Sequence, residues 1–168
     1  MKKWLCLLLC MGMLTGCSAG VYETIGNVEH VSGTMPQMRR VVLELPGDAA
    51  ILTASGGDTM YICGNYSLAV QTLAGGDLQK TIQTVSGFHR DQITVMEQVC
   101  GDHKRYDFVW TAAGEGGDTV CRAAVIDDGN YHYCMVAMAE AGDAGPLQKT
   151  WNDLFGSFCL EEEKAAIT

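Results

Sequence analysis

The strongest hairpin signal in the sequence is "TVCRAAVIDDGNYHYCMVAMAE", residues 119–140. Two runs rich in β-branched, apolar and aromatic residues, 119–126 and 131–140, flank the turn residues Asp127, Asp128, Gly129 and Asn130. An Asp-Gly pair between two such runs is a strong hairpin signal, because the turn needs positive φ and glycine adopts it without strain. The stretch therefore predicts a long antiparallel hairpin with Asp128-Gly129 as its two-residue turn.

Several segments before this hairpin alternate between apolar and polar residues. Period-two apolar spacing predicts further strands over 39–47, 49–55, 59–64, 66–74, 92–99 and 105–113. The first four of these segments follow one another with turn residues between them. They therefore predict a meander of antiparallel strands.

Between the two groups of strands the apolar period changes to that of a helix. In "DLQKTIQTVSGF", Leu78, Ile82 and Val85 recur at i, i+4 and i+7, which places them on one helical face. Asp77 precedes the stretch as a candidate N-cap, and Gly87 follows it as a stop signal. The pattern predicts a short amphipathic helix from Leu78 to the residue before Gly87.

A second helical pattern closes the domain in "PLQKTWNDLFGSFCL", residues 146–160. Pro146 suits the first turn of a helix, where a backbone N–H has no partner. Bulky apolar residues then form one stripe: Leu147, Trp151, Leu154, Phe155 and Phe158. Such a helix is unstable alone, so we expect its stripe to lie on the sheet.

The order of strands, helix, strands and closing helix predicts an α+β fold, a mainly antiparallel β-sheet with helices packed on it. We expect one domain over 28–160, followed by a charged tail over 161–168. The last long strand and the following helix with its "LFGSF" segment resemble the PsbP-like group of α/β sandwich domains. That resemblance implies an accessory or binding role rather than a catalytic one.

The N-terminus has the pattern of an export signal. Lys2 and Lys3 precede "WLCLLLCMGML", an uninterrupted apolar run over 4–14. At about 1.5 Å per residue, this run covers only about half of a bilayer core of roughly 30 Å. The pattern therefore predicts a signal peptide over 1–16 rather than a spanning helix.

The residues that follow resemble the lipobox of bacterial lipoproteins. In that motif an aliphatic residue, a small residue and Gly or Ala precede a Cys, and here these are Leu14, Thr15, Gly16 and Cys17. The resemblance implies that a diacylglycerol is attached to the Cys17 sulfur and that a peptidase cleaves before Cys17. Residues 17–27 would then be the lipidated N-terminus and its tether. Two alternatives stay open: an ordinary secretory signal in which Cys17 is incidental, or an unprocessed membrane-proximal helix.

Charge narrows the possible partners. The formal net charge is -9, and removal of Lys2 and Lys3 would make the chain more acidic still. Binding to nucleic acid needs clustered Lys and Arg at the phosphates, so we expect no nucleic-acid partner. The same charge argues against an electrostatic hold on anionic lipid. A membrane location therefore needs the covalent anchor at Cys17.

Two patterns suggest metal binding, and each has a simpler explanation. Gly-Gly-Asp occurs at 56–58, 75–77 and 116–118, but none of the three lies in an Asp-rich calcium loop, and turn chemistry explains them all. Cys100 with His103, and His132 with Cys134, are two short-spaced pairs of possible zinc ligands. A zinc site needs about four ligands, and the spacing does not require the pairs to meet. We expect no metal and no other cofactor.

The sequence contains no catalytic signature. His89 with Asp91, or Asp102 with His103, could serve in acid–base chemistry, and a Cys-His pair could act as a nucleophile. None of these residues lies in a recognisable motif such as a nucleophile elbow. We therefore expect no enzyme activity, and name a surface-anchored enzyme as the alternative.

Five cysteines follow Cys17, namely Cys63, Cys100, Cys121, Cys134 and Cys159. An odd number leaves at least one thiol unpaired within the chain. With Asp128-Gly129 as the turn, Cys121 and Cys134 would be diagonal across the hairpin, at about 7 Å or more, too far for a disulfide. We expect most of the five to be small core residues.

Aromatic residues alternate on one predicted strand, at Tyr106, Phe108 and Trp110. They could line a ligand cleft, but the Trp151 helix needs a partner surface, so the pattern favours a core position.

Together these observations predict a lipid-anchored extracytoplasmic accessory or binding protein of the bacterial cell envelope. Its partner would be the membrane, through Cys17, together with an envelope protein or a small ligand. A purely structural envelope lipoprotein is a further alternative, which a large exposed apolar patch would favour.

Overall fold

The computed structural model describes residues 36–55, 58–114 and 116–161. The strands of this part are β1 Val41–Val42, β2 Ala50–Ser55, β3 Asp58–Cys63, β4 Tyr66–Ala74, β5 Val95–Cys100, β6 His103–Ala112, β7 Thr119–Asp127, β8 Tyr131–Glu140 and β9 Cys159–Leu160. The helices are α1 Leu78–Ser86 and α2 Ala141–Ser157, with a 3-10 turn at Arg90–Gln92. The predicted signal peptide, the Cys17 anchor, the tether and the tail after Glu161 lie outside the described residues.

Seven strands form one antiparallel sheet in the order β2-β3-β4-β8-β7-β6-β5. Helices pack on this sheet, so the predicted α+β class is confirmed. β8 lies at the centre, between β4 and β7, so the 119–140 stretch supplies the central strand and one of its neighbours. β1 and β9 form a separate two-stranded pair.

Successive residues of a strand point to opposite sides of the sheet, so the sheet has two faces to cover. α2 packs on one face and α1 on the other. One face packs against α2 and includes Tyr66, Leu68, Ala124, Ile126, Tyr133, Met135 and Ala137. The other packs against α1 and includes Tyr106, Phe108, Trp110, Cys121, Ala123, Val125, Cys134 and Val136. The core is therefore two apolar layers with the central strands between them.

Local signals fix α1 as predicted. The Asp77 side chain accepts a hydrogen bond from the Gln79 backbone N–H at 3.0 Å. Gly87 ends the helix in the left-handed region, at φ 79°, and its N–H donates to the Gln83 carbonyl. Ile82 is fully buried on the sheet. Cap, stop and apolar face were all readable from neighbouring residues.

The predicted strand over 39–47 is mostly wrong. Only Val41–Val42 is a strand, and it pairs with β9 rather than with the meander. Leu43 packs against the α2 layer, while the Glu44 N–H donates to the Ser157 hydroxyl instead of to a neighbouring strand. Val41 and Leu43 of the alternating pattern pack against the α2 layer, whereas Leu45 is exposed, so the pattern does not mark a strand.

The position of Pro146 was also predicted wrongly. α2 begins at Ala141, so Pro146 lies inside the helix rather than in its first turn. Proline removes one backbone donor, and here the helix still continues through its stripe. All five stripe residues are buried, as predicted: Leu147, Trp151, Leu154, Phe155 and Phe158.

The β7–β8 hairpin forms as predicted, but with a different register. Asp127 pairs with His132, so four residues rather than two separate the paired strands. The reason lies in the Asp128 side chain, whose Oδ1 accepts from the backbone N–H groups of Asn130 and Tyr131. Cys121 therefore faces Met138, and Cys134 faces Val125.

Tyr106, Phe108 and Trp110 are buried, which confirms the core prediction. They lie on the α1 face, however, not beneath the Trp151 helix. Phe108 and Trp110 stack at 5.6 Å between ring centroids. The expectation that the Trp151 helix would cover them was wrong, since that helix packs on the other layer.

Candidate functional site

A cleft of about 340 Å³ lies at the end of the sheet where the β5–β6 and β7–β8 hairpins turn. Its lining is supplied by both turns and the adjoining strand ends: Val99, Gly101, Asp102, His103, Lys104, Asp127, Asp128 and Gly129. The volume falls within the range of small-molecule sites, roughly 300–1,000 Å³. The cleft is open to solvent and is the candidate functional site.

The β7–β8 turn forms one side of the cleft and is held by its own carboxylates. Asp127 Oδ1 accepts from the Gly129 N–H at 2.8 Å. Asp128 Oδ2 accepts from the Tyr133 hydroxyl at 2.9 Å, in addition to the two backbone bonds at Oδ1. Burial raises the pKa of the Asp128 carboxyl, but these hydrogen bonds outweigh it and leave that pKa below its usual value.

The β5–β6 turn forms the other side. Asp102 Oδ1 lies 2.9 Å from His103 Nδ1, and Asp102 Oδ2 accepts from Arg39 Nη1 at 2.9 Å. The hydrogen bond with the His103 ring, followed by the charge of Arg39, lowers the pKa of the Asp102 carboxyl. His103 Nδ1 is thus oriented by a carboxylate, the arrangement that positions an imidazole for proton transfer.

A buried histidine lies behind the cleft. His132 is fully buried, and its Nδ1 lies 2.6 Å from the Thr81 hydroxyl of α1. Its Nε2 has no hydrogen-bond partner and lies 3.6 Å from Asp127 Oδ2. His132 therefore lies between Thr81 of α1, to which it is hydrogen-bonded, and Asp127, whose carboxylate lines the cleft.

The histidines and cysteines considered as zinc ligands or catalytic groups do not all lie in one place. Cys100 and His103 are register partners across the β5–β6 turn, but only His103 lines the cleft. His89 is exposed at the start of the 3-10 turn, where Gln92 Oε1 accepts from its backbone N–H. His132 and Cys134 share the buried α1 face. Within the described residues no group of three or more His, Cys, Asp or Glu side chains could hold a metal ion.

The cysteines after Cys17 are free thiols in the described part of the chain. Cys63, Cys121 and Cys134 are buried, which confirms the prediction that most act as small core residues. Burial raises the pKa of Cys121 to about 11 and that of Cys134 to about 12, so both thiols stay protonated at neutral pH. Cys159 is exposed.

Two of the Gly-Gly-Asp triplets have structural roles. Gly75 donates its N–H to the Asn130 carbonyl, and a Cβ there would lie 2.6 Å from Asn130 backbone atoms. Asp77 of the same triplet caps α1. In the triplet at 116–118, Gly117 has φ 116° and the Asp118 carbonyl accepts from the Ala141 N–H at the start of α2. Gly56 and Gly57 lie outside the described residues.

Sequence reasoning missed Arg39 as a site residue. It had assigned Arg39 to a strand, whereas its side chain reaches a carboxylate 63 positions away. No local spacing announces such a contact. The Asp127-Asp128-Gly129 turn did carry a signal, but only for chain reversal.

Comparisons with known proteins identify the fold and no more. No family model and no curated protein sequence matches the chain. A solved structure from Bacteroides thetaiotaomicron is 11% identical, with a TM-score of 0.52 over 74% of this chain. This chain spans only 46% of that protein. The match shows a shared fold.

Two further structures are similar at lower scores. LpqN, involved in cell envelope biogenesis of Mycobacterium tuberculosis, is 13% identical with a TM-score of 0.49, over 76% of this chain and 86% of LpqN. The Pseudomonas aeruginosa protein PA94, of unknown function, is 12% identical with a TM-score of 0.48, over 76% and 87%. The resemblance to the PsbP-like group stays a prediction. In the described ranges, no helix has the length and apolar character needed to cross a membrane.

Proposed function

We propose that the chain is a lipid-anchored, extracytoplasmic accessory or binding protein of the bacterial cell envelope. The observation that carries the proposal is the sequence Leu14-Thr15-Gly16-Cys17 behind two lysines and a short apolar run. In this proposal the Cys17 sulfur loses its proton and attacks the glyceryl carbon of a membrane phospholipid, the phosphate headgroup leaves as the C–O bond breaks, and a diacylglyceryl thioether forms. Attachment of two acyl chains suffices for stable anchoring, whereas one chain is marginal.

The charge of the chain supports a covalent anchor over an electrostatic one. The net charge of -9 opposes approach to an anionic bilayer, which attracts Lys and Arg clusters instead. An acidic domain of this kind stays at the membrane only if something other than its surface holds it. Cys17 supplies that attachment in this proposal.

The cleft between the two hairpin turns is the proposed ligand-binding site. It combines apolar surface from Val99 with the oriented His103 ring and the carboxylate of Asp127. Asp102 and Asp128 are already engaged by protein donors, so they shape the cleft more than they recognise a ligand. A small ligand with one hydrogen-bond donor and an apolar portion fits this lining.

The anchor is tested by replacing Cys17 with Ala and growing cells with a labelled fatty acid. We expect the wild-type chain in the membrane fraction with label, and Cys17→Ala without label and outside that fraction. Cys10→Ala is the matched control, because Cys10 lies in the same apolar run but not at the lipobox position. It should keep both label and location. Label retained by Cys17→Ala, or lost equally by Cys10→Ala, would contradict the proposal.

A further inference from the structure

The first described residues of the chain, 36–40, contact both turns that line the cleft. The Tyr131 hydroxyl of β8 donates to the Pro36 carbonyl at 2.8 Å. The Arg39 N–H donates to the Tyr133 hydroxyl, also at 2.8 Å, and that hydroxyl donates to Asp128 in the β7–β8 turn. These bonds tie residues 36–40 to one side of the cleft.

Arg39 ties the same segment to the other side. Its Nη1 donates to Asp102 Oδ2 in the β5–β6 turn at 2.9 Å. Asp102 and Asp128 both line the cleft, so one residue connects its two sides through its backbone and its side chain. β6 and β7 pair only as far as Lys104 and Asp127, so the ladder leaves Asp102 and Asp128 beyond its end.

Glu161, at the C-terminal end of the described residues, binds Arg39 and Arg40. Arg39 Nη2 donates to the Glu161 carbonyl at 3.3 Å, and the Glu161 N–H donates to the Arg40 carbonyl at 2.8 Å. β1 then continues into its pair with β9. The segment is therefore fixed to the domain on one flank, while the Arg39 side chain reaches across the turns.

We propose that residues 36–40 are a latch: Arg39 holds the β5–β6 and β7–β8 turns together, and its release from Asp102 lets the two turns move apart and the cleft widen. The Asp102 side chain is 71% exposed whereas that of Arg39 is 14% exposed, so release means that a solvent-exposed carboxylate leaves a guanidinium that still donates to the Glu161 carbonyl. The loop-tip position favours release, since turns open locally at low cost. Opening would free the Asp102 carboxylate and turn it, with the His103 ring, toward a ligand.

Amide hydrogen exchange on the full chain with Cys17→Ala, with and without Arg39→Ala, tests the latch. We expect Arg39→Ala to speed exchange about fivefold at residues 101–104 and at 128–131 together, which corresponds to the loss of about one net hydrogen bond. Residues 121–125, in the middle of β7, should keep their protection in both proteins. That unchanged strand shows that the domain is folded.

Arg40→Ala is the matched control, because Arg40 is exposed and its closest carboxylate contact, with Glu161, is 4.0 Å long. It should leave both turns unchanged. Tyr131→Phe, which removes only the bond to Pro36, should speed exchange at 128–131 less than Arg39→Ala does. Equal exchange in Arg39→Ala and Arg40→Ala, or a response in only one of the two turns, would overturn the latch. Neither outcome bears on lipidation of Cys17.

Discussion

Two arginine–aspartate pairs of similar length lie in very different parts of the molecule. Arg105 Nε is 2.8 Å from Asp107 Oδ2, and Arg39 Nη1 is 2.9 Å from Asp102 Oδ2. The Arg105 and Arg39 side chains are similarly buried, at 15% and 14% exposed, but the Asp107 side chain is 10% exposed and that of Asp102 is 71% exposed. Distance alone therefore says little about what such a pair does, because burial decides how costly it is to break.

The buried pair fastens a helix. Arg105 Nη2 donates to Asp107 Oδ1 and to the Phe155 carbonyl, and Nη1 donates to the Phe158 carbonyl. These carbonyls end α2, which has no basic residue in its own last turn. A residue from the sheet thus satisfies helix-end carbonyls that would otherwise lack partners. The Arg39–Asp102 pair instead joins residues 36–40 to the β5–β6 turn.

Removing each arginine in turn separates the two cases most strongly. Arg105→Ala leaves Asp107 buried without its partner, and the loss of one member of a buried pair costs about 3–5 kcal/mol. Arg39→Ala leaves behind a carboxylate that is already hydrated, so we expect a smaller loss of stability than for Arg105→Ala. Urea denaturation of both variants against wild type measures the difference. Comparable losses for the two variants would remove the distinction drawn from burial.

Lowering the pH should weaken the contribution of the Arg39–Asp102 pair to stability. The hydrogen bond with His103, and then Arg39, lower the pKa of Asp102 below its reference value of 3.8. A carboxyl with a lowered pKa contributes stability above its unfolded-state pKa, and this contribution disappears as pH falls through the folded-state value.

Asp102→Asn removes that titration. We expect it to be less stable than wild type near pH 6, with the difference shrinking as the pH falls below 3.8 and through the lowered pKa of folded Asp102. Urea denaturation across this range measures the gap. Glu97→Gln is the control on the same hairpin, since Glu97 pairs with Lys104 rather than with Arg39. A gap between wild type and Asp102→Asn that stays constant down to the lowest pH would show that the charge of Asp102 is not what matters.

The distance along the chain between contacting residues explains what could be predicted from the sequence. α1 was predictable because its cap, its apolar face and Gly87 are neighbours in the chain. β4 was predictable from alternation over nine residues, and β8 from its apolar and aromatic run of ten residues after the Asp-Gly turn. Each of these depends on a short-range pattern, which the sequence displays directly.

What failed depends on contacts between distant residues or on side chains that compete with the backbone. Residues 43–47 alternate like a strand, but Leu43 packs against the α2 layer and the Glu44 N–H donates to the Ser157 hydroxyl instead of to a strand. The β7–β8 register moved because the Asp128 carboxylate captured two backbone donors. Arg39 reaches Asp102 and Tyr133 across 63 and 94 positions, which no periodicity encodes.

The central claim, that Cys17 fastens this domain to a membrane, is tested most directly by mass spectrometry of the protein purified from membranes. We expect a chain that begins at Cys17, with a diacylglyceryl group on its sulfur. The Cys10 peptide should be absent from that chain. A membrane-derived chain that begins elsewhere, or one with an unmodified Cys17 thiol, would contradict the claim.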